Sequence, residues 1–217
     1  MKKCLTIAGS DCSGGAGIQA DLKAFSAMGT FGMSVITSVV AENTSRVISI
    51  QDIDCDIISD QIDAVFEDIE VDGVKVGMLS NADIMRTPNL AEAEVLSGMK
   101  ISSLADMKKA AVKIHDLGAK NVLVKGGHLT GEATDILYDG DDFNSFSQER
   151  IYSKKTHGTG CTLSSAITAE LAKGSDIVLA VNDAKIYLTE AIRNSFYVGK
   201  GNGPVNHFYE YYNMKGF

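Results

Sequence analysis

Apolar positions follow two patterns that alternate along the chain. Short unbroken apolar runs read as buried strands: Cys4–Ala8, stopped by Gly9; the β-branched run Met33–Val40; Val74–Met78; and Asn121–Lys125, running into Gly126-Gly127. Between them apolar residues recur at helical spacing. Leu22, Phe25 and Met28 line one face of a helix over Ile18–Met28 that Gly29 ends. Ile58, Ile62, Val65 and Phe66 do the same over Ile57–Phe66. Ser103–Leu117 reads as a helix opened by Ser103 and Asp106 in a capping-box pattern and closed by Gly118. Thr134–Tyr138 and Arg150–Ser153 read as paired strands, and Thr162–Ala172 and Ile177–Arg193 as helices separated at Gly174. Strands alternating with helices predict an α/β fold around a mainly parallel sheet. With no repeat, linker or low-complexity tract in 217 residues, one domain is expected.

Composition narrows the function classes. Hydrophobic residues at 45% and charged residues at 22% fit a globular chain. No apolar run reaches membrane-spanning length, and the run behind Lys2-Lys3 is too short for a signal peptide. A net charge of −8 argues against nucleic acid and gives no pull toward anionic membranes, yet leaves room for a locally positive phosphate pocket. Glycine numbers 21 and proline 2, so glycine shapes the loops. Cys4, Cys12, Cys55 and Cys161 show no metal or redox spacing, which suits a reduced, cytoplasmic protein.

The chemistry concentrates in two glycine clusters. The second, Thr156-His157-Gly158-Thr159-Gly160-Cys161, immediately precedes a helix, where unpaired amides and the helix dipole favour an anion such as phosphate. Cys161 falls in the first turn, a position that favours the thiolate, and His157 four residues earlier leaves a Cys–His nucleophilic pair conceivable. The first cluster, Gly9–Gly17, is no Walker loop, because Gly14 is followed by Gly15 rather than lysine. It partly fits a dinucleotide fingerprint in Gly15-Ala16-Gly17-Ile18-Gln19-Ala20, with Glu42 as the ribose acceptor, but Gly9–Gly14 intervene after the strand. Asp11 and Asp21 flank this loop. Lys125 ends a strand and either neutralises a phosphate or reaches solvent. Asn89 and Glu92, three apart at a helix start, either hold hydrated Mg²⁺ or form a plain N-cap.

Together these segments resemble the ribokinase-like kinases, most closely the hydroxymethylpyrimidine/phosphomethylpyrimidine kinases of thiamine synthesis. The resemblance is carried by Leu5–Asp11, Ser13–Lys23, Val74–Leu79, Thr87-Pro88-Asn89, Val124–His128, Thr156–Cys161 and Gly199–Pro204, nearly the whole chain. It implies a three-layer α/β/α fold with a central, mostly parallel sheet, usually dimeric. It implies an ATP- and Mg²⁺-dependent enzyme that phosphorylates 4-amino-5-hydroxymethyl-2-methylpyrimidine and then its monophosphate. By the same resemblance Gly158, Thr159 and Gly160 form the anion hole for the transferred phosphoryl group, and Cys161 stands where a catalytic base belongs. Gly9, Asp21, Glu42 and Met78 line the pyrimidine pocket. Thr156, Lys125 and Lys185 attend ATP, and Asn89 and Glu92 are tied to Mg²⁺.

Two departures stand out. The family usually has glutamine where this chain has Glu42, which leaves pyridoxal, the substrate of related kinases, as the rival ligand. The family also places a strand–helix–strand unit before Thr-Pro-Asn, whereas here Ile84-Met85 runs straight into Arg86-Thr87. A segment omitted at Met85–Arg86, with its flanks joined, is the expectation; a shortened variant, or a degenerate member that binds without turnover, is the alternative.

Overall fold

The computed structural model describes residues 1–77, 88–127, 129 and 131–216. Met78 and the Met85–Arg86 junction lie outside the described residues. In chain order the elements are β1 (Lys3–Ala8), α1 (Gly17–Ala27), β2 (Phe31–Ile36), β3 (Ser38–Asn43), β4 (Arg46–Asp52), α2 (Cys55–Asp68), β5 (Gly73–Val76), α3 (Leu90–Ser97), α4 (Leu104–His115), β6 (Val122–Val124), β7 (Ala133–Tyr138), β8 (Phe143–Gln148), α5 (Thr159–Lys173), α6 (Ile177–Arg193) and α7 (Tyr209–Lys215). They divide into two compact units, residues 1–84 with 152–217, and residues 85–151. No helix among the described residues is long and apolar enough to cross a membrane.

The first unit is an α/β/α sandwich. β1 lies between β2 and β5, parallel to both. Because side chains alternate along a strand, β1 serves both faces. Cys4 packs with Phe25 of α1 and Ala169 and Ala172 of α5, while Leu5, with Met33 and Val35 of β2, meets Ile58, Ile62 and Val65 of α2. The small residues Ala169 and Ala172 let α5 approach closely, and Gly73 of β5 sits against Thr168 and Ala172.

Between this sheet and helices α1 and α5 lies a buried polar network. Asp21 is fully buried; its Oδ2 accepts from Thr6 Oγ1 and from Lys75 Nζ, both at 2.7 Å, and its Oδ1 accepts from Ser165 Oγ at 2.8 Å. A buried carboxylate is tolerable only when paired and hydrogen-bonded, and here β1, β5, α1 and α5 each supply one group.

The run Met33–Val40, expected as one strand, breaks at Thr37. Thr37 N–H donates to Ala8 O at the end of the parallel pairing; the chain then leaves the sheet and β3 pairs antiparallel with β4. β-branched residues favour both strands equally, so the composition carries no mark of the break. β4 itself is exposed at every position and lacks the alternation that betrays a half-buried strand.

The second unit holds an antiparallel sheet, β6-β7-β8, with α3 and α4 packed beside it. Its core joins Met107, Ala110, Ala111 and Ile114 of α4 to Val122, Val124 and Ile136. The segment Asn121–Lys125 is thus a strand as expected, but in an antiparallel pairing. The partner of β7 is Phe143–Gln148 rather than Arg150–Ser153. Asp139 Oδ1 accepts the amides of Asp141 and Asp142, which turns the chain so tightly that Tyr138 faces Phe143 at once.

Replacing Asp21 with alanine leaves the Lys75 ammonium buried without its carboxylate. A loss of about 3–5 kcal/mol in unfolding free energy is expected from urea denaturation, the scale for breaking a buried pair. A loss below about 1 kcal/mol, the size of an ordinary surface substitution, would show that the network does not hold these four elements together.

Candidate functional site

The loop between β1 and α1 is built around a carboxylate of its own. Asp11 is 1% exposed. Its Oδ1 accepts the Ser13 amide at 2.7 Å, and its Oδ2 accepts the amides of Gly15 at 2.9 Å and Ala16 at 2.7 Å. His157 Nε2 adds a fourth bond at 2.8 Å. A carboxylate can only accept, so this ring nitrogen donates. Burial works against ionisation, but the hydrogen bonds from Ser13, Ala16 and His157 outweigh it and hold the carboxyl down at about 2. The amides that a dinucleotide fingerprint would offer to a pyrophosphate are therefore spent on Asp11. The fingerprint match in Gly15–Ala20 has this cause and is not a dinucleotide site.

The same loop is stitched to β3 at alternate residues. Ser10 N–H donates to Ser38 O at 2.9 Å, Ser10 Oγ accepts from Val40 N at 3.1 Å, and the Cys12 thiol donates to Glu42 O at 2.9 Å. This pairing brings Glu42 beside the loop. The ligand-type atoms of Asp11, Glu42 and His157 lie within 4.8 Å of one another. Burial first, and then the Asp11 charge, push the Glu42 carboxyl above its ordinary 4.5, with His157 acting in the opposite sense. Asp11 already accepts four hydrogen bonds, so this trio reads as a polar clasp rather than a metal site.

The second glycine cluster interlocks with the first. Gly158 is the N-cap of α5 in the left-handed conformation, φ 79°, and no side chain caps this helix. A Cβ on Gly158 would overlap the Gly15 carbonyl oxygen, and one on Gly15 would overlap the His157 ring. Only glycine permits this approach. Thr159, Gly160 and Cys161 form the first turn of α5, which starts at Thr159 rather than at the expected Thr162. His157 Nε2 is engaged by Asp11. Thr156 is exposed just before the turn, and its carbonyl accepts from Thr159 N at 3.3 Å.

From below, the turn is held by a histidine that sequence reasoning missed. Thr162 Oγ1 donates to Gly158 O at 2.9 Å and lies 2.9 Å from His207 Nε2. The hydroxyl has one proton, so His207 Nε2 donates to it. Burial, with the charge of Lys23, pushes His207 down to about 4, which keeps it neutral at ordinary pH. Lys185 is buried on α6.

In this unit the structure brings Gly9 and the Gly158–Cys161 turn onto two interlocked loops, with Glu42 of β3 beside the first. It commits Asp21, expected in the pyrimidine pocket, to the buried network with Lys75. Met78, the remaining expected pocket residue, is outside the described residues. Asp11 and His157 were missed as organising residues. The available signal was an aspartate placed two, four and five residues before amides of a glycine run, the spacing of a side chain folded back on its own loop.

The second unit brings Lys125, one of the residues expected at ATP, together with Asn89 and Glu92, expected at Mg²⁺; Thr156 and Lys185 belong to the first unit. Asn89 and Lys125 form a parallel bridge, and Lys125 N–H donates to Pro88 O at 2.9 Å. Asn89 and Glu92 make a full capping box: Asn89 Oδ1 accepts the Glu92 amide at 3.0 Å, and Glu92 Oε2 accepts the Asn89 amide at 2.9 Å. The N-cap alternative is thus real. The pair still presents oxygen donors alone, the donor chemistry that suits Mg²⁺ through water.

Known proteins show which family this chain is similar to. The phosphomethylpyrimidine kinase family matches residues 11–87 and 82–206. A hydroxymethylpyrimidine/phosphomethylpyrimidine kinase of Bacillus subtilis is 41% identical over 256 aligned positions, covering 95% of this chain and 94% of its own. The thiamine biosynthesis bifunctional protein ThiED of Geobacter sulfurreducens is 42% identical over 94% of this chain, which spans about half, 51%, of that longer protein. Among solved structures, a Bacillus subtilis pyridoxal kinase in complex with ADP superposes with a TM-score of 0.90 at 38% identity, covering 97% of this chain and 99% of its own.

The depressed Asp11 carboxyl sets an acid limb. Stability from this group is complete above its ordinary 3.8 and is lost as pH falls toward about 2. Urea midpoints measured across that window should fall for the wild type and fall less for Asp11→Asn. Parallel curves would show that Asp11 is not the group concerned.

Proposed function

The chain belongs to the phosphomethylpyrimidine kinase family, and from that premise we propose that it transfers phosphate from ATP to 4-amino-5-hydroxymethyl-2-methylpyrimidine and then to the monophosphate. The observation that carries the reading is the glycine turn, Gly158–Cys161, uncapped at the start of α5 and fixed from both sides by Asp11–His157 and Thr162–His207.

Phosphoryl transfer depends on positioning and charge neutralisation more than on covalent chemistry. The amides of the turn, with the positive end of α5, receive the charge that develops on the transferring group. Cys161 takes the proton of the substrate hydroxymethyl group. Glu42 accepts a hydrogen bond from the 4-amino group, and Gly9 lets the ring lie against the backbone. Lys125 neutralises ATP phosphates, with Thr156 and Lys185 as further nucleotide contacts. Asn89 and Glu92 hold hydrated Mg²⁺, which when bound screens the phosphate charge.

The alignment with the Bacillus kinase runs over more positions than the chain's 217 residues, and the two family matches meet at residues 82–87. Both support placing the relatives' extra strand–helix–strand unit at Met85–Arg86, with no counterpart in this chain. A cytoplasmic homodimer belongs to the same reading. None of the four cysteines is in a disulfide, and the β3–β4 hairpin exposes Val39, Val47, Ile48 and Ile50 for a second copy.

Incubation of the 217-residue protein with ATP, Mg²⁺ and the hydroxymethylpyrimidine should release ADP; no ADP would leave a binding protein without turnover. Pyridoxal belongs in a parallel assay, because the ADP-bound neighbour is a pyridoxal kinase. Faster turnover of pyridoxal would reassign the substrate.

Cys161→Ala should slow the first phosphorylation by about 10²-fold or more, the worth of a positioned base. The second step should lose less, because its acceptor is already an ionised phosphate. Equal losses in the two assays would remove the base role.

A further inference from the structure

Arg150 was expected in a strand, yet it lies past the end of β8 and its side chain gathers four backbone carbonyls of the second unit. Nε donates to Gly131 O at 2.7 Å, Nη2 to Leu129 O at 2.5 Å and to Glu132 O at 3.4 Å, and Nη1 to Gly127 O. Four carbonyls of the stretch that follows Lys125 thus converge on one cation. Only arginine offers enough donors in a rigid fork to meet them together.

The stretch needs such a clamp. Gly126, Gly127 and Gly131 give it wide backbone freedom. Its entrance is fixed independently: the Gly126 amide donates to Asp135 Oδ1 at 2.9 Å, and a Cβ on Gly126 would overlap the Thr134 carbonyl. Among the described residues, the contacts that order the exit come chiefly from Arg150. A trans peptide carries its carbonyl and its amide on opposite sides. Turning the Gly131 carbonyl to the guanidinium therefore aims the Glu132 amide away from it.

We propose that Arg150 is a positioning residue for nucleotide binding: by holding the carbonyls of Gly127, Leu129, Gly131 and Glu132 it sets this backbone behind Lys125 to receive ATP phosphates. This rests on the reading that Lys125 contacts ATP, so the two are tested side by side.

Full-length wild type, Arg150→Ala, Arg150→Lys and Lys125→Ala are titrated with the fluorescent ADP analogue mant-ADP in Mg²⁺, and KM for ATP, KM for the pyrimidine and kcat are measured. Arg150→Ala should weaken mant-ADP and raise KM for ATP about tenfold, a modest misplacement on the scale of positioning effects, with the pyrimidine KM and kcat little changed. Free guanidinium ion should restore part of the nucleotide affinity to Arg150→Ala and add nothing to the wild type. Arg150→Lys should lie between them, and it carries the test if the alanine variant does not fold. Unchanged nucleotide affinity in both Arg150 variants, while Lys125→Ala binds poorly, would overturn the Arg150 role alone. Normal binding by Lys125→Ala would overturn the reading beneath it. Matching losses for nucleotide and pyrimidine, unrelieved by guanidinium, would show a structural role only.

Discussion

The first unit depends on one buried anion. Asp11 carries a full charge almost out of water, and that charge survives only because three amides and an imidazole surround it. Those donors come from two loops far apart in sequence, so solvating Asp11 and assembling the site are the same event. The loop after β1 cannot take its shape without a carboxylate at its centre. The start of α5 cannot sit against it without the glycines that let Gly15 and Gly158 meet. Glu42 then arrives by simple pairing of the loop with β3, and its carboxyl feels the Asp11 charge as a neighbour.

A second buried pair performs a different task. Asp21 and Lys75 join the strands to the helices behind the site. Their partners are all supplied by the fold, which makes them a fastening and leaves the ligand chemistry to groups at the loop tips. The polar cluster around Asp11 and the one around Asp21 thus divide position from support. In the other unit, Asn89, Glu92 and Lys125 are gathered by a capping box and a strand bridge.

Much of this was legible in the sequence, and the limits have physical causes. β1 follows from an unbroken apolar run buried on both faces, and α1, α4, α5 and α6 from helical apolar spacing, with glycines ending all of these but α6. The glycine turn before α5 was readable because backbone freedom and a helix start leave a mark in residue type. The break at Thr37 was not, since both flanking strands want the same β-branched residues. β4 and α7 bury too little to show a period. Arg150 looked like part of a strand because its role is made by donors reaching carbonyls, and carbonyls are identical at every residue. The clasp of Asp11 and His157 was hidden by distance: 146 positions separate them.

That separation has a consequence for how the chain is made. On the ribosome, residues 85–151 emerge as one uninterrupted stretch, with every strand and helix of their unit present. The first unit cannot close so early. β1, α1 and their loop must wait for His157 and Ser165, whose bonds to Asp11 and Asp21 span 146 and 144 positions. Domains commonly finish in the order in which they are synthesised. Here the unit translated in the middle is the first to have all its elements, and the bonds that close the amino-terminal loop wait for the carboxy-terminal residues.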